Sequence, residues 1–378
     1  MSAKSGQISS YERDRQRAAP DIDVLACLRL ARRLRGKPYA SQFAEILRLG
    51  LGDGHLTAKD YFYYRLYDDE LHSPEEKRRF LSERITRRVA EACCDIHCWG
   101  VSEDKILAYT LLAAAGASIP QTQAVFSRGG RQFGKVPRLA STIELADFLA
   151  GEARFPLFCK PITGIGSFGA CLLKAREGDR IEAAGSQPLT IPGLAQRFGE
   201  GSGYLLQSVL QHHPALRPIC EAVATVRVII LVEQGRPEIL HTVWKIPAAG
   251  NVADNFWRRG NLLADLDPET GTVRRVIRGI GPALEEVDAH PDTGKRLLGL
   301  ALPHWKAITD LALACAPIFA MLRYQSWDIA ICPEGPVIVE VNTGSAFTLP
   351  QLATGRGMLS DRFAAFLTAC GYRLKSRR

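Results

Sequence analysis

Asp328, Glu340 and Asn342 are the residues of this 378-residue chain whose types and spacing speak most directly of chemistry. They lie in SWDIAICPEGPVIVEVNTGSAF, residues 326–347, which reads as two strands joined by a turn at Pro333-Glu334-Gly335. Asp328 and Glu340 stand at equal distances from Glu334, so an antiparallel hairpin centred there places them opposite one another. Directly opposed residues have Cβ atoms about 4.5–5.5 Å apart on one face, where two carboxylates repel unless a cation lies between them. Asn342 is two residues further along and shares that face. Carboxylate and amide oxygens are hard ligands that suit Mg²⁺, which takes a few carboxylates together with substrate phosphates. A solvent-facing hairpin with incidental charges is the competing reading. The apolar flanks Trp327, Ile329, Val339 and Val341 argue for at least half burial instead.

A second constellation is LFCKPITGIGSFGACLLK, residues 157–174. A strand carrying Lys160 runs into Gly164-Ile165-Gly166-Ser167-Phe168-Gly169 and then into another strand. Repeated glycines let backbone N–H groups turn toward an anion, and the lysine adds charge, so the segment suits a phosphate cover. It is neither a Walker loop nor a dinucleotide fingerprint, because GxxxxGK[ST] is absent and a strand follows Gly169. In TVRVIILV, residues 225–232, Arg227 interrupts an apolar strand and shares a face with Thr225, Ile229 and Leu231. A buried arginine is costly unless it meets an anion, either a structural partner or a ligand. In residues 241–261, Lys245, Asn255, Arg258 and Arg259 could hold a phosphate or a carboxylate, with Gly250 and Gly260 as bends and Trp257 as packing or platform. Cys93-Cys94-Asp95-Ile96-His97-Cys98 has the elements of a zinc site but lacks the second ligand pair that a structural tetrahedral site uses. His212-His213 precedes Pro214 and reads as loop.

The positioning elements change character along the chain. The first hundred residues read as helices. Ser73-Pro74-Glu75-Glu76 opens one, with an N-cap serine and a proline in the first turn, continuing toward Ala92. Ser102-Glu103-Asp104 opens a second that Gly116 stops, and the capping box Ser141-Thr142-Ile143-Glu144 opens a third that ends near Gly151. From Phe155 onward, short β-rich runs alternate with glycine and proline: FPLFCKPI, ACLLKA, GYLLQSVL, TVRVIILV, EILHTVWKI and PVIVEV. Antiparallel hairpins dominate this half, interrupted by a long helix expected over residues 303–322.

Composition bounds the class. Hydrophobic residues make up 46% and charged residues 23%, which matches a globular chain of two or three domains and excludes disordered and fibrous classes. The longest apolar candidate, Leu311 to Leu322, is broken by Pro317 and is too short to span a membrane. The N-terminus mixes charges of both signs and does not resemble a secretory signal. Ten scattered cysteines suit a reducing cytoplasm, the expected location. Net charge is +8, with residues 1–90 contributing 18 basic and 13 acidic side chains. Arg29, Arg32, Arg33, Arg35 and Lys37 form the densest cluster, which could meet nucleic acid or an anionic surface. No nucleic-acid motif accompanies it, so a solvated helix face is the expectation and a nucleic-acid partner is not.

Taken in order, these motifs resemble the ATP-grasp superfamily of ATP-dependent ligases over about residues 101–350. The resemblance rests on Asp104-Lys105 opening a helix, the strand lysine with its glycine-rich loop, Gln207-Ser208-Val209-Leu210 at a strand end, and Asp328 with Glu340-Val341-Asn342. Asp254-Asn255 and Gly260-Asn261 are similar to the sugar-transfer-associated, α-L-glutamate-ligase-related branch, although related ligases often carry paired glycines at the latter position. The resemblance implies an α+β (α/β) fold in which two subdomains, residues 101–206 and 207–378, enclose ATP behind a helical N-terminal domain of residues 1–100. It also implies that Lys105 and Lys160 contact ATP, that Gly164, Gly166, Ser167, Phe168 and Gly169 close over the triphosphate, and that Gln207, Ser208 and Val209 line the adenine pocket. Arg227, with Lys245 and Arg259, would serve the reacting groups, and Asp328, Glu340 and Asn342 would hold Mg²⁺ or Mn²⁺. The implied reaction joins a small-molecule carboxylate to an amine through an acyl phosphate. The alternatives are phosphorylation of a sugar or polyol hydroxyl, and ATP binding without catalysis.

Overall fold

The computed structural model describes residues 22–164, 168–185 and 187–375, and shows a mixed α+β molecule built on two sheets behind a helical N-terminal region. The first sheet contains β1 (Thr122–Phe126), β2 (Arg138–Leu139), β3 (Leu157–Pro161), β4 (Cys171–Glu177), β5 (Arg180–Ala183), β6 (Leu189–Thr190) and β7 (Tyr204–Ser208). Its order is β2-β1-β7-β3-β4-β5-β6, with only the β1–β2 pair parallel. The second contains β8 (Thr225–Glu233), β9 (Arg236–Ile246), β10 (Leu262–Leu266), β11 (Val273–Arg278), β12 (Glu285–Glu286), β13 (Tyr324–Cys332) and β14 (Gly335–Thr343). It runs β12-β11-β10-β9-β8-β13-β14 and is antiparallel throughout.

Helices Thr142–Gly151 and Ile191–Phe198 bury Leu145, Phe148, Leu194 and Phe198 against one face of the first sheet. On its other face, Val125, Ile162 and Leu205 join a core that also contains Ile106, Tyr109 and Leu112 of helix Lys105–Ala114 and the apolar face of the second sheet. Each such fully buried aliphatic side chain contributes roughly 1.5–3 kcal/mol, so this helix fastens the two sheets together. The N-terminal helices cover the opposite face of the second sheet, where Leu28, Tyr61, Phe62 and Phe80 meet Val243, Leu263 and Ile277.

Two expected helices are shorter than their sequence pattern. The one opened by Ser73 ends at Arg78, and helix resumes with a 3₁₀ turn at Glu83–Ile85 that leads into α-helix at Thr86. Across the break the backbone of Leu81 is held by Gln351, whose Oε1 accepts its N–H at 2.7 Å and whose Nε2 donates to its carbonyl at 2.9 Å. A tertiary partner thus replaces the helical bonds. The helix expected over 303–322 covers Trp305–Cys315 and tightens into a 3₁₀ turn at Ala316–Phe319, because Pro317 cannot continue the hydrogen-bond ladder. The helix opened near Ser102 takes Asp104 as its N-cap, with Oδ1 accepting the N–H groups of Ile106 and Leu107, while a separate turn of helix occupies Trp99–Glu103. The Ser141 capping box forms as expected.

Candidate active site

The β13–β14 hairpin places Asp328 opposite Glu340, with Asn342 opposite Ser326. The turn itself pairs Cys332 with Gly335, a register one residue short of the one that centres on Glu334. An irregularity after Asp328, where Ile329 pairs with Ile338, leaves Val339 as the extra residue and restores the expected partners at the site. The bulge has a second consequence. The Val339 carbonyl is turned to accept the Tyr109 hydroxyl at 2.6 Å and the Lys160 ammonium at 3.3 Å.

Lys160 reaches this point from β3, beneath the glycine-rich loop, and also donates to the Tyr109 hydroxyl at 2.8 Å. It is buried, and among the described residues no carboxylate lies within ion-pair distance of it. Burial therefore pulls its pKa from 10.5 down to about 8, although Glu340 and Asp328 at longer range favour the charged form. Lys105, at the start of its helix, pairs with Glu340 at 3.0 Å and donates to the Gly164 carbonyl at 3.0 Å. The loop's base is fixed at its other end by Gly169, whose carbonyl accepts from Tyr204 Oη and Arg197 Nη2.

Asp328 belongs to a second ion cluster on the adjacent strands. Arg227, its β8 neighbour in register, donates Nε to Oδ1 and Nη2 to Oδ2, each at 2.8 Å, and Lys245 of β9 approaches Oδ2 at 3.0 Å. Burial alone would raise the Asp328 pKa, but the two cations outweigh it and hold the carboxyl well below its ordinary range. Burial likewise opposes the charge on Arg227, and Asp328 more than compensates. Asp254 closes the cluster: its Oδ2 accepts the Thr225 N–H at 2.9 Å and the Thr225 hydroxyl, and lies 3.6 Å from Lys245.

A cavity of about 870 Å³ runs between the sheets. Of the residues expected at a nucleotide site, Lys105, Lys160, Gly164, Phe168, Gln207, Ser208, Val209 and Glu340 line it. Gly166 and Ser167 lie outside the described residues. Gln207 is buried on β7 and donates Nε2 to Thr122 Oγ1 at 3.1 Å. Thr225 and Asp254 connect the cavity wall to the Arg227–Lys245–Asp328 cluster. Arg259 is exposed, and its carbonyl accepts from Asn251 Nδ2 at 3.1 Å. Asn261 organises the 248–261 segment, accepting from the Ala248 N–H at 2.8 Å and donating to the carbonyls of Ala253 and Asn255.

The oxygen set fits magnesium by its chemistry. Two carboxylates and an amide face one way on neighbouring strands, and each carboxylate is at present balanced by lysine or arginine. Among the described residues no group of three or more His, Cys, Asp and Glu side chains gathers as a metal site, so the hairpin offers two carboxylates and an amide only. The Cys93–Cys98 segment is packing: the Cys94 thiol donates to the Tyr324 carbonyl, and Cys93 is buried. His212 is buried in the cavity wall, accepting the Ala224 N–H at Nε2.

A model of the sugar-transfer-associated ATP-grasp family matches residues 95–365. The chain belongs to that family. Its fold is accordingly the ATP-grasp fold, here a mixed α+β arrangement of two sheets. Among solved structures, the chain is similar to the VanG D-Ala:D-Ser ligase of Enterococcus faecalis, at 14% identity and TM-score 0.39, covering 72% of this chain and 64% of that one. It is similar also to the Campylobacter jejuni biotin carboxylase, at 13% identity and TM-score 0.43, covering 78% and 53%. The Helicobacter pylori D-alanine-D-alanine ligase follows at 11% identity and TM-score 0.41, covering 74% and 64%. The chain thus spans about half to two thirds of the length of these structures. No curated protein matches it.

Two residues of the candidate site carry no assigned role in the sequence. Tyr109 stands four residues after Lys105, hence on the same helix face, and that spacing is a signal that could have exposed it. Asp254 is apparent in sequence only as part of the Asp-Asn pair, and its link to Lys245 depends on the fold of the 248–261 segment.

Proposed function

We propose that the protein is an ATP- and magnesium-dependent ligase that joins a carboxylate to an amine through an acyl phosphate. The observation that carries this reading is Lys160: a buried ammonium at the wall of a nucleotide-sized cavity, hydrogen-bonded, among the described residues, only to neutral oxygens. A charge kept there at such cost calls for an anion, and an ATP phosphate supplies one. Lys105, Lys160, Gln207, Ser208 and Val209 bind the nucleotide in this reading, and the glycine-rich loop excludes water from the reacting centre. Asp328, Glu340 and Asn342 hold magnesium, which when bound neutralises phosphate oxygens and orients them for transfer.

Arg227 engages Asp328 through Nε and Nη2, which leaves further N–H groups of its guanidinium for the phosphoryl group in transit. Phosphoryl transfer is governed chiefly by positioning and by cations set against developing charge, and Lys245 adds a second cation beside the first. The amine then displaces phosphate from the activated carboxyl. Residues 101–206 and 207–378 are assigned as the two grasping subdomains and residues 1–100 as the accessory helical domain.

The test begins with calorimetry of ATP binding with and without magnesium, comparing wild type with Glu340→Gln. Magnesium-dependent binding that the substitution weakens is expected. A panel of carboxylates is then offered with hydroxylamine as the amine, reading ADP release and hydroxamate. Hydroxamate formation supports the ligase, a stable phosphate ester assigns the kinase instead, and no nucleotide binding removes the proposal altogether.

A further inference from the structure

The helix Tyr39–Leu51 is built inside out. Its inner face is largely polar: beside the buried Leu49 and the partly buried Ile46, Gln42 is fully buried and donates Nε2 to the carbonyls of Leu28 and Lys37, while Glu45 is buried between Lys37, Lys77 and the Tyr61 hydroxyl. Its outer face is apolar. Phe43, Leu47 and Leu51, spaced four residues apart on one ridge, are 58%, 66% and 64% exposed, and Tyr39 begins the same ridge. Nothing in the fold asks for large apolar side chains there, since polar residues would satisfy the helix equally well. Basic residues border this ridge. The Arg32 guanidinium lies 4.8 Å over the Tyr39 ring, and Arg29, Arg32 and Arg33 are exposed on the preceding helix Val24–Arg35, beside Leu25 at 64% exposure.

We propose that this face docks on an anionic phospholipid bilayer, with Phe43, Leu47 and Leu51 entering the headgroup–acyl boundary and Arg29, Arg32 and Arg33 on lipid phosphates. An apolar ridge flanked by arginines is the pattern of a helix lying in the membrane plane. No helix among the described residues is long and apolar enough to cross a membrane, so the attachment is peripheral. Charge complementarity selects this occupant. A second copy of the chain meeting the same patch about a two-fold axis would set the arginines against their own kind. Nucleic acid would satisfy the arginines and leave the apolar ridge in water.

The test is co-sedimentation of the full chain with vesicles of phosphatidylglycerol and phosphatidylcholine, against phosphatidylcholine alone, at low and high salt. Binding is expected only with the anionic lipid and weaker at high salt. The variant Phe43→Ser/Leu47→Ser/Leu51→Ser should lose it. Each arginine near the surface is worth about a fivefold change in partitioning, so Arg29→Gln/Arg32→Gln/Arg33→Gln should bind about a hundredfold more weakly. All six side chains are exposed, so both variants should still unfold cooperatively within a few degrees of the wild type, the serines costing a little helix propensity and Arg32→Gln its contact with Tyr39. Wild type that ignores anionic vesicles, or variants that bind as wild type does, would overturn the proposal. So would a wild-type dimer that the triple serine variant dissociates, which would assign the face to a second copy.

Discussion

Replacing Lys160 with methionine should stabilise the free protein while removing its affinity for ATP. The structure sets the size of the effect. Burial lowers the lysine from 10.5 to about 8, a displacement worth about 3 kcal/mol against the folded state whenever the ammonium is charged. Because the folded pKa lies below the unfolded one, that penalty is fully present below pH 8, shrinks as pH rises toward 10.5, and vanishes above it. Methionine keeps the apolar stem but removes the hydrogen bonds to the Tyr109 hydroxyl and, at 3.3 Å, to the Val339 carbonyl; the hydroxyl still donates to that carbonyl, and the loss offsets about 1 kcal/mol. Urea denaturation should therefore show the variant about 2 kcal/mol more stable at pH 7. The advantage should fall by about 2 kcal/mol by pH 9.5. Calorimetry offers an independent reading, since a phosphate beside Lys160 restores its charge. At pH 8.5, ATP binding to the wild type should take up as much as about three quarters of a proton, detected by repeating the titration in buffers of different ionisation enthalpy. A methionine variant that is less stable at pH 7, or whose difference from wild type does not change with pH, would refute the argument that Lys160 is an uncompensated buried cation.

Other substitutions probe the neighbouring pairs. Asp328→Asn leaves Arg227 and Lys245 without the carboxylate they share, and should cost about 3 kcal/mol in denaturant unfolding. Arg227→Lys removes the two-point grip on Asp328 while retaining a charge; ATP affinity should change little, and the rate of ADP release should fall on the order of a hundredfold. Gly357→Ala should lower thermal stability, because the added Cβ would lie 2.3 Å from the Arg79 carbonyl carbon; normal stability would mean that the N-terminal region does not pack closely on the loop after helix Thr348–Thr354. Gly169→Ala should weaken ATP binding as well as stability, since its φ of +76° disfavours a side chain and its Cβ would meet Tyr204 Oη at 2.9 Å.

The hairpin was legible because strand pairing is arithmetic: once a turn is located, opposed residues follow by counting. The count succeeded here through two departures that cancel, a turn pairing shifted by one residue and a bulge at Val339. A bulge leaves no mark in an apolar run, yet it turns the Val339 carbonyl toward Tyr109 and Lys160. The helix expected from Ser73 to Ala92 failed for the complementary reason. Its apolar spacing is genuine, but Gln351, more than two hundred residues away, satisfies the Leu81 backbone and makes the break inexpensive. Charge pairing was the least legible feature. Arg227 was identifiable as an arginine in need of an anion, and in the free protein that anion is Asp328, one of the carboxylates read as a metal ligand. The same holds for Lys105 and Glu340. On the proposed function the site receives both a cation and a polyanion, and its carboxylates are paired with its own lysines and arginine. Ligand binding then exchanges those internal pairs for external ones, at far lower cost than exposing bare buried charge. Among the described residues Lys160 is the member without such an internal partner, so its titration reports most directly on the proposed phosphate contact.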